Sequence, residues 1–192
     1  MEKGKIIFLN GVSSSGKTSL ARTLQTLLPA PFFLLALDTF FEMSPSLPFI
    51  NVPPDKFEKK IMDEAYQKLL SVFHYTIKNF SDAGINVIVD HVLMKWNKAL
   101  DQCIMLLHDY PVLFVHVTCP LNELRRRGKE RSDRPSGLGE SQLVMLEPQE
   151  TYDMIIDTHN DTKEEYTDKI TTLLAYPEKF TAFKTLWSQS KE

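Results

Sequence analysis

The chain has 192 residues, 43% of them apolar and 24% charged, with a formal charge of −3. That length suits one well-buried domain and is short for two, and the composition is that of an ordinary soluble globular protein. The charge argues against an overall polyanion binder without excluding a local basic patch, and no apolar run reaches membrane-span length, the nearest, residues 31–41, being interrupted by Asp38.

Cys103 and Cys119 have no metal-like spacing and lie in apolar segments. They read as buried thiols in a reducing compartment, and with no room for a signal peptide before the first strand a cytoplasmic location is expected. Oligomeric state is left open.

In chain order, Lys5 to Asn10 (KIIFLN) is rich in strand formers and reads as the first strand. It leads into Gly11-Val12-Ser13-Ser14-Ser15-Gly16-Lys17-Thr18, which satisfies G-x-x-x-x-G-K-[ST]. Gly11 and Gly16 permit backbone angles that let successive N–H groups point at phosphate oxygens. Lys17 supplies a point charge for the β/γ-phosphates, and the Thr18 hydroxyl suits a magnesium ligand. Leu20, Leu24, Leu27 and Leu28 then recur at helical spacing as far as Pro29. Strand, loop and helix together mark a P-loop, with Gly11, Ser13, Ser14, Ser15, Gly16, Lys17, Thr18 and Ser19 as the phosphate-binding set.

A second strand is expected at Phe32 to Leu37, ending at Asp38, followed by a segment where Pro45, Pro48, Pro53 and Pro54 forbid a long regular element. A long helix should run from about Asp55 to about Phe80, with Phe57, Ile61, Leu69, Phe73 and Ile77 on one face. Ile85 to Val89 reads as a third strand ending at Asp90, Lys98 to Asp109 as a helix, and Tyr110 to Pro120 as holding a fourth strand. A basic helix and loop occupy Leu121 to Gly139, Tyr152 to Asp157 supplies a fifth strand, and Thr162 to Glu165 forms a capping box opening a last helix. This alternation predicts an α/β fold, a five-stranded parallel sheet with helices on both faces, whose ligands gather at the carboxyl ends of the strands.

Asp38 and Asp90 both fall at such ends. An acceptor hydroxyl attacking a phosphate needs a base, and a magnesium ion needs a carboxylate near the P-loop threonine. Asp90 after its apolar strand suits the metal and Asp38 the base, although spacing alone leaves the two roles open, and Asp38 also reads as a helix N-cap. Arg127, Arg131 and Arg134 share one face if their segment is helical, and arginines closing over a transferring phosphoryl group stabilise its charge. The segment about 121–139 is therefore expected to be an arginine-rich lid, with Asp133 orienting one arginine. The plainer reading is a solvated charged helix. Asp157 to Asp161 can border an adenine or form an ordinary turn. His91 can touch substrate, or be a structural residue.

The stretch from Phe8 to Phe40, with VIVDHV, RRRGKERSDR and YDMIIDTHNDT further on, resembles the chloramphenicol phosphotransferase-like family of P-loop kinases over about Lys5 to Leu174. The resemblance implies the P-loop kinase fold and an ATP- and magnesium-dependent transfer of the γ-phosphate to a small-molecule hydroxyl, with chloramphenicol or a related compound as acceptor. It implies Asp38 as base and Arg127, Arg131 and Arg134 as lid or phosphate-contacting residues, alongside Lys17 at the phosphates and Thr18 and Asp90 at the metal as read from the residues themselves. Family members often carry a second acid where this chain has His91, and residues 43–60 match poorly, overlapping the segment of about 39–58 where the acceptor should be gripped. Acceptors of another kind (a sugar, a metabolite, a nucleotide) therefore stay open. So does a nucleotide-dependent switch without transfer. Nucleic acid and membrane are not expected partners.

Overall fold

The computed structural model describes residues 2–43, 59–94, 99–133, 135, 137–146 and 151–191. Most of the expected acceptor-gripping segment, and Arg134, lie outside them.

The strands are β1 (Ile6–Asn10), β2 (Phe33–Ala36), β3 (Val87–Asp90), β4 (Val112–Thr118) and β5 (Met154–Asp157), all parallel in the order β2-β3-β1-β4-β5. The helices are α1 (Lys17–Leu27), α2 (Leu37–Glu42), α3 (Lys59–Asp82), α4 (Ala99–Leu107), α5 (Leu121–Glu130), α6 (Leu138–Gln142), α7 (Lys163–Leu174) and α8 (Ala182–Gln189).

The apolar runs of β1, β3 and β4 are continuous because both faces of the sheet are covered. Ile6 and Phe8 point into a core with Leu70, Phe73 and Ile77 of α3, Ile104 of α4 and Phe183 of α8. Ile7 and Leu9 point the other way, against Leu20 and Leu24 of α1 and Ile170 of α7. The two cores flank the sheet. They bury Leu20, Leu24 and Leu28 of the leucines read after the P-loop but leave Leu27 exposed, and they bury Phe73 and Ile77 of the face read for the long helix, whose Phe57 lies outside the described residues.

Three expectations shift. β2 is shorter than Phe32 to Leu37, and Asp38 stands in the first turn of α2 rather than at the strand end; the N-cap is Ala36, so the capping role foreseen for Asp38 is not seen. A carboxylate there still faces the favourable end of the helix dipole. The basic helix stops at Glu130 and Arg131 is extended, so Arg127 and Arg131 do not share a helical face. Ser132, Asp133 and Pro135 supply the helix-breaking chemistry. Finally, α7 is not the last helix, because α8 follows it. Asp153 holds α8 in place: its carboxylate accepts hydrogen bonds from the Thr181 and Ala182 N–H groups (2.8 and 2.9 Å) and from the Phe114 N–H of β4 (2.8 Å).

Candidate active site

The P-loop emerges from β1, at the centre of the sheet, and runs into α1. Asn10, fully buried, fixes its first residue: the side-chain oxygen accepts from the N–H groups of Gly11 (3.0 Å) and Leu93 (2.8 Å), and the amide nitrogen donates to the Leu93 carbonyl and the Tyr152 hydroxyl. Further along, Ser14 at φ 66° and Gly16 at φ 101° turn the backbone through the left-handed region. Such alternation makes a concave nest of N–H groups suited to an anion. Lys17 is buried and its Nζ lies 3.0 Å from the Val12 carbonyl oxygen, so the ammonium folds over the loop.

The other wall of the nest is built from the turn after β5 and from α5. Thr158 donates through its hydroxyl to the Ser15 carbonyl (2.6 Å), and Arg127 donates to that hydroxyl (2.8 Å) and to the Thr158 carbonyl (3.3 Å). A Cβ at Gly16 would come within 2.8 Å of the Thr158 hydroxyl, which is a second reason for glycine there. Glu123 anchors Arg127 through a 2.7 Å bond to Nε, and the guanidinium groups of Arg126 and Arg127 pull its carboxyl down from the usual 4.5 to about 2.

Thr18, at the start of α1, donates its hydroxyl to Asp90 Oδ2 at 2.6 Å. Asp90 closes β3 in register with Leu9 of β1 and Ala36 of β2, so Asp38, two residues beyond Ala36, comes beside it. Both carboxylates line a cavity of about 790 Å³ together with Ser13, Ser14, Gly16, Lys17, Thr18 and Ser19. Arg127 and Arg131 border the same cavity. Arg131 is paired with Asp133 (Nε to Oδ1, 2.9 Å), the orienting contact foreseen from the sequence. Gly11 and Ser15 sit beneath: a Cβ at Gly11 would strike the Val117 carbonyl oxygen, and the buried Ser15 hydroxyl makes no hydrogen bond among the described residues.

The cavity has two unlike ends. One is lined by Thr158, Asp161, Thr162, Lys163 and Tyr166, the turn after β5 and the start of α7. The other is lined by Leu37, Phe41, Tyr66, His91, Val92 and Met94. His91 lies buried under that end between Phe8, Phe73 and His74, and burial holds its ring well below the ordinary histidine range, so it is neutral. Thr158 falls within the Asp157 to Asp161 stretch read from the sequence, but Tyr66 and Gln142 carry no local signal: their neighbours in the site are far away in the chain.

Hard oxygen donors, one carboxylate and one hydroxyl, are what magnesium takes from a protein when phosphates and water complete its shell. Thr18 and Asp90 fit that requirement, and among the described residues no cluster of three His, Cys, Asp or Glu offers an all-protein metal site.

A parallel five-stranded sheet with a P-loop on its central strand, a carboxylate closing the adjacent β3 and a second one in the first turn of α2 define a P-loop kinase fold. The model of the chloramphenicol phosphotransferase-like protein family matches residues 4–175, and the chain belongs to that family. It is 29% identical over 174 residues to a Mycobacterium tuberculosis protein named "Putative O-phosphotransferase", covering 82% of this chain and 76% of that one. In fold it is similar to a sugar kinase from Janibacter sp. (TM-score 0.63, 21% identity, 93% of this chain and 99% of that one). It is similar also to Mycobacterium tuberculosis APS kinase, solved with AMPPNP and APS (TM-score 0.64, 18% identity, 91% and 99%).

Proposed function

We propose that the protein is a magnesium- and ATP-dependent kinase that moves the γ-phosphate to a hydroxyl of a small molecule. The Thr18–Asp90 hydrogen bond carries this reading, because it joins the P-loop to the strand-end acid at the point where a phosphate-bound metal would need both. Magnesium bound there would neutralise charge on the β- and γ-phosphates. The P-loop N–H groups and Lys17 hold the phosphates, and Arg131 and Arg127 flank them; the segment carrying these arginines acts as a lid. The end near Thr158 and Tyr166 takes the adenine.

Asp38 serves as the base. As the acceptor oxygen bonds to phosphorus and the bond to the ADP oxygen breaks, the hydroxyl proton passes to the Asp38 carboxylate. Apolar Leu37, Phe41, Val92 and Met94, with Tyr66, favour an acceptor whose body is apolar around its hydroxyl. The family makes chloramphenicol the first acceptor to try. The whole of this machinery lies on one sheet, which suits a single domain.

The test is ADP release and product mass with ATP and magnesium, first with chloramphenicol and then with a panel of hydroxylated metabolites. Lys17→Ala and Asp38→Asn should each abolish transfer, and only Lys17→Ala should also weaken ATP binding strongly. Full transfer by Asp38→Asn would assign the base elsewhere. Tight ATP binding without transfer to any compound would favour a nucleotide switch.

A further inference from the structure

Gln142, the last residue of α6, does two things that the kinase reading leaves unused. Its Oε1 accepts a hydrogen bond from the Ser13 N–H at 2.7 Å, and the residue lines the large cavity with Ser14, Lys17, Asp38 and Arg131. A backbone N–H can only donate, so the oxygen of the amide must face Ser13 and the nitrogen is the other polar end. That nitrogen makes no hydrogen bond among the described residues.

The contact is a built one. Gly139, one turn earlier in α6, is buried against the Ser13 carbonyl oxygen so closely that a Cβ would collide with it. Glu140 is held from α5 by Arg125, through Nε at 2.9 Å and a second bond from Nη2. Leu146, just beyond, packs with Val12 and Val92. This places the end of α6 over the P-loop on the side of β3. Thr158 clamps the loop from the opposite side, at Ser15. Ser13 and Ser14 lie between these clamps and line the cavity with Lys17, Asp38 and Arg131.

Resting on the nucleotide reading above, we propose that Gln142 contacts the terminal phosphoryl group: its amide nitrogen donates to a γ-phosphate oxygen while its amide oxygen holds the Ser13 N–H. One side chain then couples the docking of α6 to the shape of the P-loop and to the presence of the third phosphate. A diphosphate does not reach it, so its contribution separates ATP from ADP.

Calorimetric titration of the full chain with Mg·ADP and with Mg·AMPPNP tests this in Gln142→Met, which keeps length without polarity, and Gln142→Glu, which keeps an oxygen for Ser13 and loses the donor. In both variants the preference for AMPPNP over ADP should fall about tenfold, the worth of one hydrogen bond to a charged group. In Gln142→Glu, ADP affinity should stay within about twofold of wild type, because the Ser13 bond is kept. An unchanged preference, or equal weakening of both nucleotides in both variants, would overturn the proposal and leave Gln142 as a structural tether. Wild-type protein that binds neither nucleotide would remove the kinase reading itself, a result distinct from either.

Discussion

Ser14 is the only non-glycine among the described residues with positive φ, at 66°. The left-handed region costs an L-residue about 1–2 kcal/mol, and a β-branched side chain is a genuine outlier there. Ser14→Val should therefore lower stability by about 1–2 kcal/mol in urea unfolding, whereas Ser14→Gly should leave it unchanged or slightly raised. The strain sits in the curve of the loop that forms the nest, so the same Val variant should also weaken nucleotide binding. Asp90 makes a different prediction. Asp90→Asn keeps an oxygen for the Thr18 hydroxyl but removes the charge that a divalent cation requires. The magnesium concentration for half-maximal transfer should rise more than about tenfold, with magnesium-free ADP binding little changed. Equal loss with and without magnesium would place the metal elsewhere.

At the scale of elements, α8 shows why some structure is hidden in a sequence. Its N-cap Thr181 makes no side-chain capping bond, and the N–H groups of Thr181 and Ala182 are satisfied by Asp153, which also binds Phe114 of β4. A helix capped from 28 residues away leaves no local signature. By contrast, Thr162 and Glu165 exchange their bonds within one turn, and the start of α7 was legible from those two residues alone. The inner strands β1, β3 and β4 were legible because burial on both faces demands unbroken apolar runs, and the P-loop because its glycines and lysine are fixed by backbone geometry and charge. The end of α5 was not, since nothing in the arginine spacing says that the helix stops at Glu130. Asp153→Ala would leave three N–H groups without their acceptor and detach Phe183 from the core. It should cost about 2–3 kcal/mol, and hydrogen exchange should speed up in α8 before the sheet.

For the whole molecule, the sheet order does what no single segment can. Placing β3 between β1 and β2 brings Asp90 to Thr18 across 72 positions and Asp38 beside them. The sequence announced both acids but could pair them with the P-loop only if those strands were neighbours. The same arrangement drives α3 under the cavity and buries His74 with His91 between the sheet and the helix. Burial pushes the His74 ring from 6.5 down to about 4, with the hydrogen bond to Gln102 pulling weakly the other way. A ring that is neutral in the folded chain and binds a proton more readily when unfolded contributes stability that is fully present above the unfolded value of 6.5 and is lost as pH falls through 4. His91 is shifted in the same direction, so part of the acid sensitivity remains when His74 is replaced. His74→Phe, a ring among rings beside Phe73, removes only its own share. In urea unfolding at a series of pH values between 7 and 4, wild-type stability should therefore fall more steeply than that of His74→Phe. The divergence should open below about pH 6.5 and reach at most about 3 kcal/mol. Parallel curves would mean that the His74 site stays wet enough to hold an ordinary imidazolium in the fold, and that α3 packs less tightly beneath the site than its burial implies.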